Sequence, residues 1–593
     1  MTHETIDHGQ FEAGRDVNYW ALDRTLQYEA RRTYPDEEFA WAEPRLEAFG
    51  DVVGSTVADN ADRIDRHGPE LHTYDEHGEI RNEVEYHPKQ HENERIAHGK
   101  FGLTHDFFHA PPGRDDPLGL THTLTQQALL SYADPGFVCP VSMTTGVALV
   151  LDEFDDGSLD GYFERLISRD ADEHIEGAMF LTEKQGGSDV GANETVAEEA
   201  EDGTYRLTGE KWFCSNIDAE GALALARRPD APDGTAGLSL FLVPHTRPDG
   251  TVNDALFRRL KDKLGTISVP TGEIEFRDAE AYLVGEPENG FRQMTEMLNF
   301  ERLSNATAAV GIMGRALLES KVRAANREAF GEVIQEYPLM RRDLVDMAVD
   351  YEAAAAFTFD GARALDRYRR EGRETEAGER AFKLVRALVP VAKHVTARMA
   401  VETASYACEV LGGNGYVRGF VTPRLLRDAQ VLPIWEGTSN VLSLDLLRAL
   451  DREDAYEALL PAIRANLDAA EHPSLDEPTA AIEDAFAGLQ ESLAHLAGAD
   501  GEYAQLQAKE LANYVFDAYT AALLVGEAQD RIDNADDARK ALVAKRFVDT
   551  RLREPDARGI TGGERFPIER FDAVVRYAPV APTTLVESAS ADD

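Results

Sequence analysis

The sequence predicts a multidomain α+β protein. It has an N-terminal mainly helical domain, a central β-barrel or sandwich domain, a C-terminal helical bundle and an extra C-terminal helical region. Three observations predict this. At 593 residues the chain is too long for one core, because single cores stop growing beyond roughly 250–300 residues. Near Leu181 the texture changes from helical periodicity to short strand-like runs. At Gly290 it changes back, which confines the strands to one module flanked by helices.

The elements follow in order. Residues 1–176 carry acidic starts ahead of recurring apolar positions, as in Asp36–Leu46 (DEEFAWAEPRL) and Asp51–Arg66, which predicts helices joined by loops. Residues 177–287 hold the runs Thr204–Thr208 (TYRLT), Leu238–Val243 (LSLFLV) and Glu273–Phe276 (EIEF). Pro, Gly and Asp clusters such as Arg228–Gly234 (RPDAPDG) separate them, as strand boundaries require. Residues 288–450 return to helix, with Ala306–Ser320 and Leu344–Asp360 Ala-rich and apolar on one side. Two loops interrupt the end of this segment, Leu411–Tyr416 (LGGNGY) and Val431–Ser439 (VLPIWEGTS). Residues 451–593 read as a helical extension with a polar, disordered tail at Glu587–Asp593.

Charge sets the expected surroundings. The chain has 108 Asp+Glu against 61 Lys+Arg, a formal net charge of -47. Self-repulsion of that size suits a salty cytoplasm, because concentrated salt shortens the Debye length to about 3 Å near 1 M. It also opposes broad nucleic-acid binding. Cys139, Cys214 and Cys408 lie far apart with no CxxC pair, so neither a disulfide framework nor a metal site is expected. The first residues, MTHETIDHGQ, contain no apolar core, and no stretch reads as long and apolar enough to span a bilayer. A cytoplasmic protein is the expectation.

Two segments carry chemistry. In Leu181–Val190 (LTEKQGGSDV) paired glycines allow close backbone approach, and Thr182 and Ser188 offer hydroxyls beside free N–H groups. Alone this is more often a turn than a site, but it opens the β module and Gly209–Asn216 (GEKWFCSN) follows it. In Ile434–Asn440 (IWEGTSN), Glu436 stands in a loop, Gly437 permits a tight approach, and Thr438 or Ser439 can cap the helix Val441–Leu450. Alone, Glu436 is an ordinary acid favoured by a helix dipole.

Together these segments resemble the acyl-CoA dehydrogenase family, which pairs a T-E-x-x-x-G-S-D loop with a G-x-K-x-(F/W)-(I/C)-(S/T)-N strand. It also carries its base in a (Y/W)-E-G-(T/S) loop after L-G-G-x-G-Y. The resemblance implies FAD held by Thr182, Gly187, Ser188, Trp212, Phe213, Ser215, Trp435, Gly437, Thr438 and Asn440. It implies Glu436 as base, with transfer of a hydride to flavin N5. Arg327–Gly331 (REAFG) matches the family's R-x-x-F-G, whose arginine approaches the FAD pyrophosphate of a neighbouring subunit. Arg327 therefore implies a homo-oligomer, a dimer or tetramer. Asn299–Leu303 (NFERL) keeps a second acid, Glu301, where some members carry their base, so Glu301 is the alternative to Glu436. An acyl-CoA thioester and an electron-transfer flavoprotein are the implied partners.

Within the family the chain looks closest to the AidB-like branch, associated with the adaptive response to alkylation. The marks are TEKQGGSDV, Arg259–Gly265 (RLKDKLG), Cys139–Thr144 (CPVSMT), Tyr74–Gly78 (YDEHG), Tyr86–Pro88 (YHP) and the C-terminal extension. That branch implies a second function, DNA association through the C-terminal region. Residues 451–593 hold 14 Lys+Arg against 29 Asp+Glu, which opposes it. The basic stretch Arg539–Arg553 (RKALVAKRFVDTRLR) is the local exception, read otherwise as the solvated face of a helix. A non-CoA oxidase on the same fold is a third reading, distinguished by rapid reoxidation in air.

Overall fold

A computed structural model describes residues 5–554 and 556–589. The chain falls into two compact units, Pro44–Ser304 and Met1–Glu43 with Asn305–Asp593.

The first of these units contains the strands. A hairpin of β1 (Glu70–Tyr74) and β2 (Ile80–Glu85) forms a two-stranded sheet of its own, tied to the main sheet by the Asn82 side chain, which donates to Ala255 O at 2.8 Å and accepts from Phe257 N at 3.0 Å. The sequence pattern missed it, because only Asn82 and Val84 of its residues are buried and no apolar alternation results. The main sheet comprises β3 (Gly177–Phe180), β4 (Val196–Glu199), β5 (Tyr205–Ser215), β6 (Gly221–Arg227), β7 (Leu238–Val243), β8 (Ala255–Leu260) and β9 (Thr271–Val284). Pairings β4–β5, β5–β9, β9–β7, β7–β6 and β6–β4 close a ring, with β3 added on β6 and β8 on β9. The expected strands at Thr204, Leu238 and Glu273 are present, two of them longer than the runs that signalled them.

Alternation along β6 and β7 serves two cores. Ala222, Ala224, Ala226, Phe241 and Val243 face one apolar cluster together with Phe180, Leu207 and Phe276. Leu223, Leu225, Leu238, Leu240 and Leu242 face another, formed with Val147, Leu151, Met294 and Met297. Both faces are covered, so these strands read as continuous apolar runs.

The helix Pro135–Phe154 corrects the expectation that no segment is long and apolar enough to cross a bilayer. It meets that test by length and composition, with 78% of its apolar window buried inside the fold. Its apolarity is that of a core helix. Asp134 caps it by accepting from Phe137 N at 3.0 Å, and Ser268 Oγ holds the same carboxylate oxygen at 2.7 Å.

The other unit is helical. Pro338–Glu371, Glu376–Leu411, Ser439–Arg452, Tyr456–Ala469, Asp476–Ala497, Gly501–Ala535 and Arg539–Arg551 are its principal helices. Gly501–Ala535 packs on Pro338–Glu371, Ser439–Arg452, Tyr456–Ala469 and Arg539–Arg551, so the C-terminal extension joins the bundle. Phe357 meets Phe516 at 4.9 Å between ring centroids. A hairpin of β10 (Glu328–Ala329) and β11 (Glu332–Val333) projects from this unit. The tail expected to be disordered begins as helix, Pro582–Ala589. Residues 590–593 lie outside the described residues.

Candidate active site

In the strand-bearing unit the site is a loop stapled to a strand. β5 loses register with β9 between Lys211 and Cys214, one extra residue being accommodated there. Trp212 N donates to Thr182 O at 2.9 Å instead, tying β5 to the loop Leu181–Val190. Phe213 is left 55% exposed. The Lys261 ammonium lies 3.5 Å from the Trp212 ring centroid and 4.7 Å from that of Phe213. Gly187 lies against Thr182, where an added Cβ would come within 2.4 Å of Oγ1 and force that side chain to move. Ser188 is exposed and Thr182 half-buried. Ser215 Oγ and Thr271 Oγ1 share a hydrogen bond of 3.0 Å.

Beneath this surface lie two charged residues that the motifs contain but the sequence reading did not single out. Lys211 is fully buried and donates to Glu183 Oε1 and to Leu225 O, both at 2.8 Å. Glu183 also accepts from Thr195 N at 3.1 Å and from Glu194 N at 2.6 Å. Burial pushes the Glu183 carboxyl up, but Lys211 and these bonds outweigh it and hold it below the usual range. Their signal was an acid and a lysine inside otherwise exposed motifs. Sequence spacing does not reveal that they are buried.

The helical unit carries the second part. Glu376–Leu411 ends at Gly412, φ +66°, followed by a tight turn through Tyr416. After the helix Thr422–Ala429 the chain enters the Trp435–Thr438 turn, where Glu436 and Gly437 take φ of +52° and +98°. A non-glycine residue in that region costs about 1 kcal/mol or more and persists where its surroundings impose it. Two contacts do so here: Trp435 Nε1 donates to Asn305 Oδ1, and the buried Lys393 Nζ donates to Gly437 O at 2.6 Å. Thr438 occupies the N-cap of Ser439–Arg452, but its side chain makes no capping bond, which corrects the capping expectation. Glu436 is half-buried, and Thr438 and Asn440 are exposed.

Arg327 and Glu301 are the remaining sequence-predicted residues. Arg327 is exposed beside the β10–β11 hairpin, where Phe330 and Gly331 form the turn at φ +55° and +92° and Phe330 is 99% exposed. Glu301 is buried and accepts from Ser142 Oγ at 2.9 Å.

A polar cavity of about 290 Å³ in the strand-bearing unit was not anticipated. Within it the His98 and His174 rings meet at 4.2 Å between centroids, tilted by 30°. Their ring nitrogens and Glu176 Oε1 are buried without hydrogen-bond partners among the described residues. Burial lowers the pKa of His98, brings His174 down to about 4, and pushes Glu176 up to about 8.

Comparison with known proteins follows the same lines. Residues 9–173 match the adaptive response protein AidB N-terminal domain. Residues 178–279 match the acyl-CoA dehydrogenase middle domain, and 288–450 the acyl-CoA dehydrogenase C-terminal domain. The chain is 32% identical over 535 residues to acyl-CoA dehydrogenase family member 11 of Caenorhabditis elegans, covering 86% of this chain and 83% of that one. It is 33% identical over 436 residues to the putative acyl-CoA dehydrogenase AidB of Escherichia coli (strain K12), covering 72% and 77%. The structure of Caenorhabditis elegans ACDH-11 in complex with C11-CoA superposes with a TM-score of 0.84 at 29% identity, covering 94% of this chain and 95% of that one.

Proposed function

Because the chain belongs to the acyl-CoA dehydrogenase family, with an AidB-type N-terminal domain, we propose that it binds FAD and desaturates an acyl-CoA thioester between Cα and Cβ, with Glu436 as base. What carries this reading is the Trp435–Thr438 turn, which holds an acid in a left-handed conformation three residues ahead of the helix Ser439–Arg452.

The residues present fit the cofactor. Phe213 offers an exposed aromatic face, and the loop offers exposed backbone at Gly187 and Ser188, where a Cβ on Gly187 would displace the Thr182 side chain. Thr182, Gly187, Ser188, Trp212 and Ser215 would hold its polar edges and Phe213 would cover its ring. Trp435, Gly437, Thr438 and Asn440 are the helical unit's candidates for the same role. Bound FAD supplies an acceptor for the hydride leaving Cβ. Glu436 removes the α-proton as a carboxylate, and its backbone N–H is a donor for the thioester oxygen as negative charge develops there. The products are the enoyl thioester and a protonated Glu436. Burial of Glu301 and its bond from Ser142 support a structural role for that acid. The relative seen with C11-CoA makes medium and long acyl chains the first substrates to test. Arg327 and the projecting Phe330 are read as reaching a second subunit, and an electron-transfer flavoprotein as the oxidant of the reduced enzyme.

An anaerobic absorbance titration of the yellow protein with a panel of acyl-CoAs tests this. Bleaching near 450 nm is expected with one chain-length class, lost by at least ~100-fold in Glu436→Gln and retained in Glu301→Gln. Loss in Glu301→Gln with retention in Glu436→Gln would transfer the role to Glu301. Bound flavin that no acyl-CoA reduces would favour the DNA-associated reading.

A structural observation weighs against that second reading. Arg539, Lys540 and Arg546 are buried. Arg539 pairs with Glu352, Lys540 with Glu527 at 2.5 Å, and Arg546 with Asp346 at 2.8 Å. Lys545 reaches Glu477 at 3.0 Å, Arg551 reaches Asp350 at 2.7 Å, and Arg553 reaches Asp549 at 2.7 Å. Three of the six cations are thus buried in ion pairs, which a solvated face does not predict, while Lys545, Arg551 and Arg553 keep 39%, 34% and 36% of their side-chain exposure.

A further inference from the structure

The turn that presents Glu436 is held by a side chain with no assigned part in the reaction. Lys393 stands mid-helix in Glu376–Leu411, 0% exposed, beside the buried apolar residues Val389, Val391, Ala392 and Ala397. At such a position a leucine or methionine would fill the volume without the desolvation cost of an amine. Its Nζ instead donates to Gly437 O at 2.6 Å. That carbonyl belongs to the residue directly after Glu436, within the two-residue left-handed segment. The following helix gives the turn no alternative anchor through its cap, since the Thr438 side chain makes no capping bond. Trp435 Nε1 on Asn305 fixes the residue before the acid, and Lys393 fixes the residue after it.

We propose that Lys393 is the positioning residue of the base: by donating to Gly437 O it pins the Gly437–Thr438 peptide, and with it the left-handed Glu436–Gly437 segment from which the Glu436 carboxylate reaches the substrate. This rests on Glu436 being the base. Lys393 exchanges no proton with substrate and need not touch it. Its effect is on the rate of α-proton removal, because misplacement of a catalytic group by about 1 Å costs on the order of 100-fold.

The test compares Lys393→Met, Lys393→Arg and Glu436→Gln as FAD-loaded proteins. Readouts are FAD content, the limiting rate and half-saturating concentration of anaerobic bleaching by the preferred acyl-CoA, and exchange of its α-hydrogen with D2O. Lys393→Met is expected to keep its FAD and half-saturating concentration while bleaching and exchange both slow by ~10- to 100-fold. Lys393→Arg, which keeps a donor, is expected to recover part of both. Wild-type bleaching and exchange in Lys393→Met, beside an inert Glu436→Gln, would overturn the proposal and leave the base assignment standing. Wild-type bleaching in Glu436→Gln would remove both. If Lys393→Met does not fold or loses FAD, Lys393→Gln, too short to reach the carbonyl, takes its place under the same criteria. A fall in rate that only tracks lost FAD would make the contact purely structural and overturn the proposal.

Discussion

At the residue scale, the buried pair Lys211–Glu183 lies beneath the loop Leu181–Val190. Thr182, Ser188 and Phe213 are exposed or half-exposed, and their motifs advertise them. Glu183 and Lys211 sit in the same motifs, yet only the fold shows the lysine at 0% exposure and the acid at 5%. Removing one member of a buried pair leaves the other charge uncompensated, at about 3–5 kcal/mol. Lys211→Met is therefore expected to destabilise by about that amount, more than the double variant Lys211→Met/Glu183→Gln relative to Glu183→Gln alone. Urea unfolding of the four proteins checks this, and additive effects would mean the two side chains act independently. FAD affinity is expected to fall in Lys211→Met, because Glu183 anchors the loop to Thr195 and Glu194.

At the element scale, the types of the elements were legible and their surroundings were not. The β module was legible from short strand-forming runs between Pro, Gly and Asp clusters, and the long helices from Ala-rich stretches free of such breaks. Arg539–Arg551 was legible as a helix, but the acids that neutralise it come from Glu352, Asp346 and Glu477, distant in sequence. The intact protein is accordingly expected to retain no duplex DNA at about 0.1 M salt, where phosphate contacts are still strong. Retention in a gel-shift assay, lost on raising the salt, would contradict the pairing as the dominant state. The His98–His174–Glu176 cavity makes a separate prediction about pH. Both histidines have lowered pKa values, so their contribution is present above about pH 6.5 and is lost as pH falls below it, for His174 toward about 4. Glu176 is raised to about 8, so its contribution is present below about 4.5 and lost as pH rises toward 8. Glu176→Gln should thus gain melting temperature relative to wild type between pH 6 and 8. A gap between the two proteins that does not vary with pH would show that Glu176 ionises normally.

At the scale of the whole molecule, the dominant fact is a net charge of -47. Two effects of salt oppose each other. Screening weakens attractive pairs, of which many span the surface, but exposed pairs contribute only about 0–1 kcal/mol each. Pairs such as Lys211–Glu183 and Arg539–Glu352 are buried and least accessible to screening. Screening also relieves repulsion among the carboxylates left in excess, 108 acids against 61 Lys+Arg. That repulsion is long-ranged and acts over the entire surface, so it changes most as the Debye length falls from about 10 Å at 0.1 M to about 3 Å at 1 M. Relief should win, and the melting temperature should rise between 0.1 and about 1 M KCl. Because screening is nearly complete by then, most of the gain should come before 1 M, with a smaller rise to 3 M. Equal ionic strength of NaCl should give the same curve. A flat or falling melting temperature would mean that the acidic excess is held apart well enough to cost the fold nothing, and would remove the case for a salt-adapted protein.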